Sequence, residues 1–297
     1  FLKMMNTIFT TLEKLQLTSL ETRILFSEKT RDVDDLKVWK DSVSGVIYID
    51  EFYTGDETYI EGAYVEDKKK QLKTGNRDYE RITDAKRRLH SNLNLVTGKK
   101  LLDFGAGSGD FLRLAKDYCA EVSGVEIQQN YCDDLNSEGI DCKTDIDLIP
   151  DDSVDICVSF HVIEHLPDPL KTLEILKSKI VKGGMLLIEV PHANDFLLAS
   201  LRSEAFKDFT LWSQHLVLHT RDSLNRMLKH VSFKDIQIEG VQRYPLSNHL
   251  YWLANGKPGG HKSQLSLIDS PELTRTYESS LAKIDGTDTL VAVAKVG

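Results

Sequence analysis

Several features are missing from this sequence, and each absence narrows the field. No apolar run approaches the roughly 18 residues that a membrane-spanning helix needs, so no membrane span is expected. The opening stretch, "FLKMMNTIFTTLEKLQ", mixes polarities and shows no clear cleavage signal, which reads as a cytoplasmic protein. Cys119, Cys132, Cys142 and Cys157 form no CxxC pair. That argues against a zinc knuckle or a disulfide scaffold and reads as isolated thiols. Positive charge is not in excess: 37 Lys and Arg stand against 46 Asp and Glu, a formal charge of -9. Such a balance discourages non-specific binding to nucleic acid or an anionic membrane, and leaves room only for a local basic patch. Tandem repeats and low-complexity tails are also absent.

What is present suits a globular chain. Its 297 residues, 41% of them hydrophobic, allow one large or two modest domains around a sizeable core. Residues 1–50 show no assignable pattern. "YTGDETYIEGAY", residues 53–64, reads as an ordered loop that either lines a ligand pocket or covers the core. The charge run at 66–70 reads as solvated surface. Over residues 78–93, Tyr79, Ile82, Ala85, Leu89 and Leu93 recur near helical spacing. That helix is expected to bury a narrow stripe and show its arginines and lysines to water.

Strands and helices then alternate. Strands are expected at Lys100–Phe104, 121–127, Asp141–Lys143, Val154–Phe160 and 184–190, with helices at 110–118 and 169–180 between them. Val154–Phe160 is almost continuously apolar, as in a central parallel strand. Further on come a helix at Arg221–His230 with Thr220 as N-cap, a strand at Phe233–Val241, a helix at 271–282 and a final strand at Thr289–Val296. Leu224, Met227 and Leu228 are the inward residues of the Arg221–His230 helix. The pattern predicts a doubly wound α/β sheet with helices on both faces.

The segment "LLDFGAGSGDF" carries three glycines on alternate positions, Gly105, Gly107 and Gly109, directly after a strand. Glycine permits a tight turn and close approach of a ligand to the backbone. A dinucleotide fingerprint, G-x-G-x-x-G, would place its third glycine at 110, where Asp110 stands instead. The shift opposes pyrophosphate binding and puts a carboxylate in the first helical turn. Glu126, at the end of the second strand, can accept both hydroxyls of a ribose. It supports an adenosine ligand without identifying it.

On these residues the sequence resembles the class I S-adenosylmethionine-dependent methyltransferases. Their first motif, "(V/L)LDxGxGxG", is matched at residues 101–109, and the likeness runs from about 93 to 241 plus the closing strand. The resemblance implies a seven-stranded, mostly parallel Rossmann-like sheet whose last strand, "TLVAVAKV", inserts antiparallel. S-adenosylmethionine is the implied cofactor. Asp103, Gly105, Ala106, Gly107 and Gly109 would pass beneath its methionyl end, Glu126 would hold the ribose, and Ile127, Asp145, Ile146 and Phe160 would complete the site. The domain reading is a cap at 1–95, a cofactor core at 96–243, an insertion at 244–287 that contributes to the acceptor pocket, and a last core strand at 288–297.

The acceptor side is marked by "FHVIEHLPDP" after the fourth strand, at the sheet edge where open α/β folds bind ligands. Methyl transfer needs in-line alignment at about 3 Å and, for a hydroxyl or an acidic carbon, a proton acceptor. Histidine suits that task near neutral pH. His161, Glu164 and His165 crowd this segment, and His192 and His215 follow in "VPHANDFLL" and "LWSQHLVLHTRDSLNRMLKHVSF". The family resemblance offers Glu164 and His165 either acid–base work or, as in quinone-precursor O-methyltransferases, a divalent metal. An HxxxH spacing departs from the HExxH of zinc hydrolases, and no metal is assigned. The second segment matches a family pattern in which His215 faces the acceptor, with Ser232 where glycine is usual.

"RYPLSNHLYWLANGKPGGHKS" places Tyr244, Asn248, His249, Tyr251 and Trp252 together. They read either as a glycan pocket or as helix packing. The layout resembles enzymes of surface-polysaccharide or nucleotide-sugar biosynthesis. The expected function is methyl transfer to oxygen or carbon of a small polar acceptor, a sugar or sugar nucleotide being the class considered, with a homodimer compatible. No amine-binding NPPY or DPPY motif follows the fourth strand, which disfavours nitrogen. The alternatives are a nicotinamide oxidoreductase, a non-catalytic binding module of the same fold, and an RNA or protein methyltransferase.

Overall fold

A computed structural model describes residues 7–50, 52, 55 and 77–297. The expected loop at 53–64, Gly55 apart, and the charge run at 66–70 lie outside the described residues.

The main sheet has seven strands: β4 (Lys100–Phe104), β5 (Glu121–Val125), β6 (Asp141–Lys143), β7 (Val154–Phe160), β8 (Ile180–Pro191), β10 (Phe233–Val241) and β11 (Thr289–Val296). Their order is β10-β11-β8-β7-β4-β5-β6. The five strands from β6 to β8 run parallel, while β11 lies antiparallel between β8 and β10. This is the doubly wound sheet expected from the strand–helix alternation, with the inserted antiparallel strand that the family resemblance implies.

Alternation along each strand feeds two cores. Leu101, Ile156, Val158 and Leu187 face the helices Arg77–Val96, Asp110–Ala115 and Gln129–Ser137. Leu102, Cys157, Leu186 and Ile188 face the helices Ile8–Lys14, Pro169–Lys179 and Arg221–His230. A fully buried leucine contributes roughly 2 kcal/mol, so Leu101 and Leu102 alone anchor β4 from both sides. Local chemistry sets the helix ends. Asp168 caps Pro169–Lys179 by accepting from Lys171 N, with Pro169 in the first turn. Thr220 caps Arg221–His230 in a reciprocal box with Ser223. Ser232 has φ of +65°, a left-handed conformation that explains why glycine is usual at that point.

Residues 7–50 hold more than their sequence shows. Strands β1 (Arg23–Ser27), β2 (Val38–Asp41) and β3 (Ile47–Ile49) form a four-stranded antiparallel sheet with β9 (Val217–Leu218). The strands are too short and irregular to announce themselves, and β9 comes from a segment nearly 170 residues later.

Two expectations need correcting, and one open alternative is narrowed. The helix Arg77–Val96 does not turn all its arginines to water: Arg87 and Arg88 point inward onto Glu189, and Ile82 is exposed. A carboxylate buried near the carboxyl end of a strand needs cations more than the helix needs another apolar contact. Cys132 and Cys142 are not isolated, since their Sγ atoms lie 3.0 Å apart. Of the two readings of the segment at 243–263, packing accounts for Trp252, His249 and Asn248. Trp252 is buried between Phe206 and Phe209, His249 bonds Tyr277 at 2.6 Å, and Asn248 Oδ1 accepts from Gly259 N at 3.0 Å.

Candidate active site

The glycine turn sits at the carboxyl end of β4. Gly105, Gly107 and Gly109 all have left-handed φ, of 81°, 55° and 77°. A Cβ on Gly105 would come 2.3 Å from Val162 Cγ2, whereas one on Gly107 would meet nothing within 4 Å. Gly105 is required by packing, and Gly107 leaves an open edge. Ala106 lies between them with its amide directed to Val125 O at 3.1 Å. Asp110 opens the next helix and is paired with Arg81 at 3.0 Å.

Glu126 follows the last residue of β5. One carboxylate oxygen accepts from Gly107 N at 2.7 Å and the other from Gln128 N at 3.0 Å. The carboxylate thereby ties the glycine turn to the neighbouring strand end. Burial raises its pKa, and the backbone donors oppose that rise. Asp103 is buried, and its Oδ1 has no hydrogen-bond partner among the described residues. Burial pushes it up to about 7, against the pull of Arg88 and with a push from Glu126. A cation beside it would restore the ionised form. Ile127 is partly open to solvent. Asp145 caps the short turn Ile146–Leu148 by accepting from Asp147 N at 2.9 Å, and Ile146 rests on the core. Phe160 packs edge-on to Phe111 at 4.9 Å beneath the Arg88 guanidinium at 4.6 Å.

These groups fit S-adenosylmethionine. Asp103 and Glu126 offer negative charge and acceptors, suited to an ammonium, a sulfonium and ribose hydroxyls. A pyrophosphate would instead face Asp103, Asp110 and Glu126.

A second group of side chains lies beyond β7. Glu164 is fully buried. Its Oε1 lies 3.0 Å from His161 Nδ1 and 3.9 Å from His165 Nε2, and its Oε2 has no hydrogen-bond partner among the described residues. Burial pushes the Glu164 carboxyl up, but His161 and His165 outweigh it and hold the pKa below the ordinary value. His165 Nδ1 lies 2.7 Å from Gln214 O. A carbonyl can only accept, so Nδ1 carries the proton and Nε2 is the basic nitrogen of the neutral ring. His215 stacks obliquely on His165, with centroids 4.9 Å apart, and Trp212 closes the group at 5.2 Å from His215. Ligand atoms of Glu164, His165 and His215 all come within 4.8 Å of one another.

His161 has φ of +56°, an uncommon conformation for a residue with a side chain. Its Nε2 faces Glu189 Oε1 at 3.2 Å and Arg243 Nη1 at 3.2 Å. Burial would lower its pKa, but the contacts with Glu164 and Glu189 raise it overall, with Arg243 opposing. His192 is not brought into this group. It is buried against Thr287 O, 2.9 Å from Nδ1, with Asp285 3.7 Å from Nε2, and burial lowers its pKa.

Glu189, Arg87, Arg88, Arg243 and Asp84 escaped the sequence reading. One signal was available: a lone glutamate inside the apolar strand "MLLIEVP" must find cations or lose its charge.

A profile of methyltransferase domains matches residues 76–238, more than half of the chain. The chain belongs to this methyltransferase-domain family. Among curated proteins, the methyltransferase is 28% identical over 122 residues to a ubiquinone biosynthesis O-methyltransferase of Paraburkholderia phymatum, covering 37% of this chain and 52% of that one. It is 24% identical over 213 residues to a tRNA U34 carboxymethyltransferase of Alteromonas mediterranea, covering 64% and 60%. The chain thus spans between about half and three fifths of the length of these curated relatives. Among solved structures, an S-adenosylmethionine-dependent methyltransferase from Archaeoglobus fulgidus superposes with a TM-score of 0.52 at 20% identity, over 78% of this chain and 99% of that one. At that identity the likeness speaks for the fold. Among the described residues, no helix is long and apolar enough to cross a membrane.

Proposed function

We propose that this methyltransferase moves the methyl group of S-adenosylmethionine to a hydroxyl oxygen of a small polar acceptor, with His165 as the base. The observation that carries the reading is the pairing of His165 Nδ1 with Gln214 O at 2.7 Å, beside the buried charge of Glu164. The carbonyl fixes the tautomer, and the carboxylate favours proton uptake at Nε2.

In this reading Asp103 holds the methionyl ammonium, the turn of Gly105, Ala106, Gly107 and Gly109 lies beneath that end, and Glu126 holds the ribose. Ile127, Asp145 and Ile146 flank the adenine, and Phe160 supports the site. The cofactor supplies an electrophilic methyl carbon. As the acceptor oxygen took that methyl carbon from sulfur, leaving the thioether, His165 Nε2 would take the hydroxyl proton. His215 and Trp212 would flank the acceptor. The resemblance to an O-methyltransferase supports oxygen as the accepting atom. Sugars and nucleotide sugars stay within the proposed class, though Trp252, His249 and Asn248 are engaged in packing. The contact surface would therefore come from the His165–His215–Trp212 side, under a cap that includes the described residues 7–50 and 77–95.

The test is methyl transfer from labelled S-adenosylmethionine across sugars, nucleotide sugars and phenols. Turnover of a hydroxyl acceptor that collapses in His165→Asn supports the proposal. Transfer only to amines, or full activity in that variant, overturns it.

A further inference from the structure

Nothing in the family motif accounts for Glu189. It is 1% exposed near the carboxyl end of β8 and meets three cationic or ionisable groups. Arg87 Nη2 reaches both carboxylate oxygens at 2.9 and 2.8 Å, and Arg88 reaches Oε1 through Nη2 at 2.6 Å and Nε at 3.0 Å. The third group is His161, whose Nε2 stands 3.2 Å from the same Oε1.

The position of His161 Nε2 is unusual because it also faces a donor. Arg243 Nη1 lies 3.2 Å away, and that arginine is held by Asp84 through Nη2 and by Asp288 through its backbone amide. A guanidinium can only donate, so Nε2 accepts from it only when unprotonated. A carboxylate can only accept, so Nε2 donates to Glu189 only when it carries a proton. The other ring nitrogen donates to Glu164 Oε1 at 3.0 Å in either state. His161 is therefore offered two complete sets of partners, one charged and one neutral.

The geometry points to Glu189 and Arg243 as opposed positioning residues that set the charge of His161 and, through Glu164, the basicity of His165. The assignment rests on the acid–base role proposed above for His165. With His161 protonated, the charge of Glu164 is shared and its pull on His165 weakens. With His161 neutral, Glu164 faces His165 as the less compensated anion. Directly facing His161 are Glu164, Glu189 and Arg243. Arg87 and Arg88 stand behind Glu189, Asp84 and Asp288 behind Arg243, and His165 and His219 towards Glu164.

The test needs no acceptor. Imidazole nitrogen resonances of the full chain are followed from pH 5 to 9, with His161 assigned by its loss in His161→Asn. Removing an opposite charge at this distance moves a midpoint by about 1–3 pH units. Glu189→Gln is expected to lower the His161 midpoint, and Arg243→Met to raise it. A purely structural role gives no such opposition of sign. Shifts of the same sign, or none in either variant, overturn the assignment. If Glu189→Gln does not fold, Arg243→Met decides alone, a raised midpoint supporting the assignment and an unchanged or lowered one overturning it. S-adenosylhomocysteine is titrated into the same samples. Failed shifts with intact binding reject the positioning role alone, while a wild type that does not bind rejects the methyltransferase reading beneath it.

Discussion

The two halves of the proposed site, cofactor and acceptor, are built in different ways. The cofactor half is made from neighbours in sequence: Asp103, the three glycines and Glu126 fall within 24 residues, and backbone conformation does most of the work. The acceptor half is assembled from distant pieces. Arg87 meets Glu189 across 102 positions, His161 meets Arg243 across 82, and His165 meets Gln214 across 49. The first half needs only a correct strand–turn–helix unit. The second exists only once the sheet, the helix Arg77–Val96 and the chain after β10 are all in place.

The comparison can be broken most severely at the proposed base. His165→Asn is expected to reduce turnover by about 10²–10⁴-fold, the usual contribution of a general base, while cofactor affinity stays unchanged. Turnover and titration on one preparation check both halves, and a parallel loss of cofactor binding would merge them.

The next effect lies within the glycine turn. Gly105→Ala meets Val162 and a left-handed backbone together. It should cost about 1–2 kcal/mol for handedness plus about 1–3 for overpacking. Gly107→Ala meets only the first penalty in the cofactor-free protein. Urea unfolding of the two variants without cofactor should show Gly105→Ala as clearly the less stable, and equal midpoints would discard the packing argument.

Glu126→Gln sharpens the cofactor half alone. Weakening hydrogen bonds to a charged group costs about 1.5–3 kcal/mol, so S-adenosylmethionine should bind about ten- to a hundredfold more weakly.

The smallest effect is on stability against pH. Burial first, and then Asp288, raise Asp195 to about 7. A carboxyl raised in the fold contributes stability at low pH and loses it as pH climbs from the ordinary value near 4 through about 7. Asp195→Asn keeps the oxygen that caps Leu197 and Leu198 and removes the ionisation. Its unfolding midpoint should therefore fall less between pH 5 and 8 than that of the wild type. An identical pH dependence would show that Asp195 titrates normally.

The same contrast explains what the sequence disclosed. The glycine spacing, the carboxylate after β5 and the apolar strands are short-range signals, and the seven-stranded sheet follows from them. The small sheet of residues 23–49 gave no signal because its fourth strand is Val217–Leu218, two residues long. Arg87 and Arg88 looked like solvent-facing charges because helical periodicity records which positions are apolar. It does not record which charges have a buried partner. His192 resembled His165 in sequence, yet it is enclosed by residues 285–288 of the chain's far end, a packing no local pattern reports.

The measurement that bears most directly on this division is calorimetric titration with S-adenosylmethionine of the wild type, Glu126→Gln and His165→Asn side by side. The account predicts that the wild type and His165→Asn bind alike and that Glu126→Gln binds more weakly. Wild-type affinity in Glu126→Gln, or equal losses in both variants, would contradict it.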